Sequence, residues 1–271
     1  MSDLATAYSV LKNEGATALV SKSAGRLVRS ATPTPLKRWR ARRAYPLPDD
    51  FERYPNPPDP FAVLHVEPSD IRRFSGRAYP PYHGPDARLG VVKDGDWDRR
   101  EPDRIEPAYE PRYELYRGGA DRFSESAFFG SLEARLVRDA AWEETEWFRR
   151  SRAFIDAGRQ TTRGITTLEG LERRCEEIDA LFQRIERDGY RPQSAFDNYP
   201  AANTEVNVDV ARDGTLLFVN GRNRLAIAKL LGIDTIPVGV YVRHARWMRR
   251  RAADPVDPDL RTHPDVEPAR A

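Results

Sequence analysis

Cysteine is almost missing from this sequence: Cys175 is the only one among 271 residues. A single thiol cannot form an intrachain disulfide, and a cysteine-based zinc site needs several. Histidine is scarce as well. His65, His83, His244 and His263 are widely separated, and no pair has metal-ligand spacing. No apolar run approaches the roughly 20 residues that span a bilayer. The N-terminus has no basic segment followed by a continuous apolar stretch, so a secretory leader is not expected. Excess charge of one sign is also absent, because 44 Lys and Arg face 42 Asp and Glu for a formal net charge of +2. Overall charge makes no case for nucleic acid, which leaves that case to local patches. The simplest expectation is a cytoplasmic protein.

What is present is a lean core and a dense ionic surface, with 39% hydrophobic and 32% charged residues. The length allows one large domain, or one domain with extensions. Residues 4–29 read as a helix, with Leu19, Val20, Ala24, Leu27 and Val28 on one face and Lys22, Arg26 and Arg29 toward the other. Such a helix can pack as an ordinary terminal helix, or meet an anionic membrane or a protein partner. A basic run, Lys37-Arg38-Trp39-Arg40-Ala41-Arg42-Arg43, follows it. Residues 4–43 are therefore the candidate partner or peripheral-membrane surface. Prolines 46, 48, 55, 57, 58 and 60 then mark an extended strap. These features make residues 1–60 an extension and place the main domain at 61–251. The Pro/Asp-rich residues 252–271 read as a disordered tail.

Within the main domain the hydrophobic pattern alternates between strand and helix. Phe61–Val66 is an apolar run of strand length, Leu89–Val92 is a second short strand, and residues 75–112 are otherwise irregular. One helix is expected over 131–157 and a clearer one over 167–188. In the latter, Leu168, Leu171, Cys175, Ile178, Phe182 and Ile185 form one stripe. Thr166–Glu169 supplies a capping box and Gly189 a stop. The stripe makes Cys175 a core thiol. Val206–Val210 and Leu216–Val219 flank the hairpin turn Asp213-Gly214. A tight turn at Asn220-Gly221, a short helix over 224–231 and a strand over 236–242 complete the segment.

The turn Asn220-Gly221-Arg222-Asn223-Arg224 has the composition of an anion site. A helix start offers unpaired N–H groups and the positive end of its dipole. Gly221 lets a phosphate approach the backbone. Arg222 and Arg224 add guanidinium forks, and Asn223 a neutral donor and acceptor. The competing reading is that both arginines pair with the domain's own carboxylates.

Asn220 to Gly232, followed by Thr235-Ile236-Pro237-Val238, resembles the signature of the ParB/sulfiredoxin superfamily. Leu64 to Ile71 resembles the first strand and turn of that domain. The resemblance spans roughly 61–243, with 72–200 as an insertion. It implies an α+β fold with a small mixed sheet and packed helices. It also implies a nucleotide, ATP or CTP with Mg²⁺, whose phosphates meet Gly221 and Arg224. The sequence departs from the pattern where it matters for chemistry. Arg222 replaces the catalytic cysteine of sulfiredoxins, and Asn223 replaces a histidine common in the superfamily. Residues 244–271 leave no room for the DNA-reading domain of partition proteins, so neither of those activities is expected. What the resemblance then implies is an ATP-dependent small-molecule kinase or a nucleotide-gated switch. A non-catalytic adaptor is the alternative, and a ParB-like nuclease or nucleic-acid binder the third reading.

Three further features bear on that choice. Asp70, after the first strand, is a candidate base for a phosphate acceptor, or simply a helix cap. Asp96 and Asp98, in the run Asp94-Gly95-Asp96-Trp97-Asp98, are candidate Mg²⁺ ligands, or a solvated turn with Trp97 packed inward. The stretch Arg243–Arg251 holds five arginines and Trp247, a composition that suits nucleic-acid phosphates, an acidic partner or a membrane.

Overall fold

A computed structural model describes residue 43 and residues 51–84, 87–99, 101–117, 119–161, 164–193, 201–253 and 260–266. The helix expected over 4–29 and the basic residues 37–42 lie outside the described residues. Six strands form one mixed sheet: β1 (Val63–Val66), β2 (Arg73–Phe74), β3 (Val91–Lys93), β4 (Val206–Val210), β5 (Leu216–Asn220) and β6 (Ile236–His244). Seven α-helices are described: α1 (Glu110–Tyr116), α2 (Ala127–Leu136), α3 (Glu146–Asp156), α4 (Leu168–Asp188), α5 (Ala201–Thr204), α6 (Arg222–Leu230) and α7 (Ala245–Arg251). The chain is a mixed α and β protein, as expected.

The sheet runs β1-β6-β4-β5-β2. Its long strand β6 takes β1 antiparallel along Ile236–Gly239 and β3 parallel along Val242–His244. β4 lies beside β6 in parallel and pairs antiparallel with β5 through the Asp213-Gly214 hairpin. Two of the six strands, β2 and β3, come from the segment read as an insertion, and they are stitched into the sheet rather than set apart from it.

Asn207 and Asp209 alternate with the valines of β4, and all five of its residues are buried. Val206, Val208 and Val210 pack under the helices, with Leu225, Leu171 and Ile178 in the same cluster. Asp209 faces the other way, toward Ser75 and Arg77. Its carboxylate accepts from Arg77 Nε at 2.7 Å, Ser75 Oγ at 2.6 Å and the Val242 backbone N–H at 3.1 Å. A buried carboxylate needs such partners, because an unpaired one costs several kcal/mol. Gly239 in β6 is required by close approach, since a Cβ there would sit 1.7 Å from the carbonyl oxygen of Ala202 in α5.

α4 follows its pattern closely. Thr167 caps it by accepting from Gly170 N–H, and Gly189 ends it at φ 74°. Leu171, Cys175, Ile178 and Ile185 are buried, each large aliphatic contributing about 1.5–3 kcal/mol. Burial pushes the Cys175 thiol up to about 12, which makes it inert at neutral pH. The single helix expected over 131–157 is instead two. Asp139 adopts a left-handed φ of 55°, and Thr145 starts α3 by accepting from Phe148 N–H. The apolar spacing continued across this break, but a capping threonine in mid-pattern ended one helix and began another.

The domain edges also differ from expectation. Phe51 is buried, so packing begins before Phe61. The tail expected to be disordered contains a docked piece, 260–266. Asp265 is buried there and accepts from Arg243 Nη2 at 2.6 Å and Trp247 Nε1 at 2.8 Å. A composition rich in Pro and Asp hid the few residues, Leu260, His263 and Asp265, that have partners on the body.

Candidate functional site

β5 ends at Asn220, Gly221 turns the chain, and α6 begins at Arg222. Gly221 has φ 88° and ψ 28°, a left-handed conformation that glycine adopts without strain. A Cβ there would also meet the Val206 Cα at 2.9 Å. No side chain caps α6, so its first N–H groups have no capping partner.

The turn opens into a cleft of about 770 Å³. Its facing wall is α4, through Arg174, Glu177, Leu181 and Arg184, which lie on one helix face at steps of three and four. Tyr82, Arg112 and Tyr116 close another side. Among the described residues, five arginines therefore line the cleft (Arg112, Arg174, Arg184, Arg222 and Arg224) against one carboxylate, Glu177. Glu177 is already bonded to Arg174 Nη1 at 2.5 Å.

Arg222 and Arg224 do not form one fork. Side chains two apart on a helix point about 200° from each other. Arg222 lies over the Tyr116 ring, 3.4 Å from its centroid, and its Nη1 is out of solvent contact with no hydrogen-bond partner. Arg224 turns to Glu205, with Nη1 3.3 Å from Oε2, and donates Nη2 to the Thr204 carbonyl oxygen. Glu205 is 1% exposed, and burial raises its carboxyl, opposed by the Gln193 backbone N–H and by Arg224. The reading in which these arginines serve the domain's own carboxylates thus holds for Arg224 and not for Arg222. Asn223 lines the cleft between them.

The other expected site residues lie elsewhere. Asp70 is exposed and near Lys229, at the far end of α6. A nine-residue helix rises about 12 Å over its length. Asp70 therefore does not share the arginine cleft, and its expected role as acceptor base there is corrected.

Asp96 and Asp98 are likewise not a metal pair. Arg212 Nη2 reaches Asp96 Oδ1 at 2.7 Å and Asp98 Oδ1 at 2.6 Å, while its Nε meets Asp98 Oδ2 at 2.8 Å. Burial works against the Asp98 carboxylate, but the side-chain and backbone bonds from Arg212 outweigh it and lower its pKa. A guanidinium occupies the place expected for Mg²⁺, and no group of three or more potential metal ligands occurs among the described residues. Trp97 packs inward as expected and stacks on His244.

The basic stretch 243–251 also reads differently in three dimensions. Arg243, His244, Trp247 and Met248 are buried, and Arg251 donates to the carbonyl oxygens of Asn56 and Asp265. Arg246 and Arg249 remain exposed, so the stretch is not a continuous basic surface.

The sequence reading missed Arg112, Arg174, Arg184, Tyr82 and Tyr116. Arg174 and Arg184 sit on the polar face of an amphipathic helix, where charge ordinarily meets water. Only the placement of α4 opposite the turn makes that face a wall. No family model, curated protein or solved structure matches this chain significantly.

Proposed function

We propose that this chain binds a nucleotide polyphosphate in the arginine cleft and acts as a nucleotide-gated switch. The observation that carries the reading is a charge imbalance: five guanidinium groups line the cleft at the uncapped start of α6, and among the described residues only two carboxylates, Glu177 and Glu205, pair with them, at Arg174 and Arg224. Cations gathered around a partly enclosed cleft repel one another until an anion arrives, and the helix start adds a dipole of the same sense. Several arginines suit several phosphate oxygens. Tyr82, bonded to Arg112 through its hydroxyl at 2.9 Å, offers an aromatic surface in the same cleft for a base.

Binding is favoured over phosphoryl transfer for a geometric reason. Transfer needs a carboxylate or water-positioning group beside the terminal phosphate. Glu177 is held by Arg174, and Asp70 is at the other end of α6. The lining holds no carboxylate free of an arginine among the described residues, so Mg²⁺ would enter only as a companion of the phosphates, held by their oxygens.

The test is a thermal-shift series with ATP, CTP, GTP and UTP, each with and without Mg²⁺, and with inorganic tripolyphosphate. A ligand at 100 times its Kd adds about 2.7 kcal/mol, or several degrees in Tm. One nucleotide should shift Tm by at least about 4 °C and exceed tripolyphosphate. No shift with any of them sinks the anion site. An equal shift with tripolyphosphate sinks the nucleotide and leaves a polyphosphate site.

A further inference from the structure

The opposite end of α6 holds a second cleft, of about 730 Å³, that has no part in the arginine site. Lys229 lines it from the last turn of the helix, half-buried, and its Nζ donates to the Pro68 carbonyl oxygen. That partner is neutral. The charged groups around the amine are few. Arg72 stands beside it with its Nε bonded to the Ser69 carbonyl oxygen, Asp70 is next in the chain, and Glu67 and Asp234 belong to the cleft lining. From the α2 side come Ser124 and Phe129, which carry no charge.

Lysine is rare in this chain. Lys12, Lys22, Lys37, Lys93 and Lys229 are its only five, against 39 arginines. Where a fixed cation suffices, arginine serves, because it does not deprotonate; lysine can become a neutral amine. Three features bring Lys229 toward that state: partial burial, an adjacent guanidinium and a neutral acceptor in place of a carboxylate. Burial and Arg72 lower its ammonium to about 8, against the pull of Asp70. At pH 7 about a tenth of such amines are neutral, against fewer than one in a thousand for an ordinary lysine.

We propose that Lys229 is a reactive amine that takes a small aldehyde or ketone in this cleft as a protonated imine. The neutral amine adds to the carbonyl carbon, forming the C–N bond. The carbonyl oxygen then takes two protons and leaves as water. The net change converts an ammonium and a carbonyl compound into an iminium and water, with no oxidant or reductant. Ser69, Ser124 and Thr235 line the same cleft, the Ser69 hydroxyl donating to Glu67, and Ser124 and Thr235 carry hydroxyls of the kind that can bond the carbonyl oxygen as charge develops on it. An amine desolvated beside a second cation is one of the general routes to an activated lysine.

The experiment treats the full chain with pyridoxal and sodium cyanoborohydride, which traps imines, and maps adducts by peptide mass spectrometry. At pH 7 Lys229 should label at least about tenfold faster than each of the other four lysines, with a rate that levels off above pH 8. Arg72→Gln should slow it at pH 7, and Arg72→Lys should retain the rate, with far-ultraviolet circular dichroism confirming that both variants fold. Equal labelling among the lysines overturns the proposal, as does a rate that climbs past pH 9, or indifference to Arg72→Gln. No nucleotide is used, so failure here leaves the arginine cleft untouched, and the converse also holds.

Discussion

Arginine plays opposite parts in two regions of this molecule. Around Arg212 and Arg243 each guanidinium meets the carboxylates of Asp96, Asp98 or Asp265 at 2.6–3.1 Å, and the charges close on one another. In the cleft at the Gly221 turn, Arg174 and Arg224 each find one carboxylate, and Arg222 lies on an aromatic ring with an unpartnered Nη1. The first kind of group holds the fold together. The second leaves positive charge over, and unspent charge is what a ligand can use. Counting basic residues along the chain cannot separate the two, because the distinction lies in which carboxylates the fold brings near.

The largest expected effect breaks the closed group. Asp265→Ala leaves Arg243, itself 1% exposed, as a buried charge that has lost both carboxylate oxygens, and takes the acceptor from Trp247 Nε1. Removing one partner of a buried pair costs about 3–5 kcal/mol. Urea unfolding should show that loss, while nucleotide affinity of the folded fraction should not change. A cost under about 1 kcal/mol would mean that residues 260–266 contribute nothing to the closed group.

A middle-sized effect is a pH dependence. The Asp98 carboxyl lies below its ordinary value because the Arg212 bonds outweigh burial. A lowered folded pKa gives stability that is present above the ordinary carboxylate value and lost as pH falls through the folded one. Arg212→Gln should therefore cost about 1–3 kcal/mol at pH 7, and the gap to the unsubstituted protein should close below about pH 4. Glu205, buried behind the cleft as the partner of Arg224, goes the other way. Its carboxyl is raised by burial, so its own contribution fades as pH rises through the folded value. A gap for Arg212→Gln that stays constant from pH 7 to pH 3 would break the assignment of Asp98 as its partner.

How much of this was legible in the sequence differs between the two regions. The hairpin, the Gly221 turn, α4 with its caps and the strand over 236–242 were legible because each is specified locally, by period, glycine and capping residues. The anion turn was legible for the same reason. The rest of its cleft was not, since Arg174 and Arg184 occupy positions any solvated helix face would have. The closed groups are legible only as open alternatives: the Asp94–Asp98 run reads as Mg²⁺ ligands or as a turn with Trp97 packed inward, and the residue that decides, Arg212, is 114 positions from Asp98. Local patterns carry secondary structure and turns, whereas ion pairing over such separations is a property of topology.

The smallest expected effect on stability is the most telling for the comparison. Arg184 lines the cleft from α4, and on its own helix it stands one turn from Asp188, whose carboxyl is lowered first by Arg187 and in small part by Arg184. Alanine there removes a charge that neighbouring arginines oppose and has the higher helix propensity, while the pull on Asp188 is lost; these terms are each a few tenths of a kcal/mol and partly cancel. Arg184→Ala should accordingly leave Tm within about 1 °C. The same substitution removes one phosphate contact and should weaken nucleotide binding about tenfold, which is ~1.4 kcal/mol. Arg224→Ala cannot serve in its place, because it would strand buried Glu205 and mix folding with binding. Salt adds an independent reading: raising it should stabilise the ligand-free protein by screening the cleft, and less so in Arg184→Ala. Loss of more than about 1 kcal/mol of stability on Arg184→Ala would mean that the cleft arginines are satisfied from within, like those around Asp98, and that the cleft has no charge to spare for a ligand.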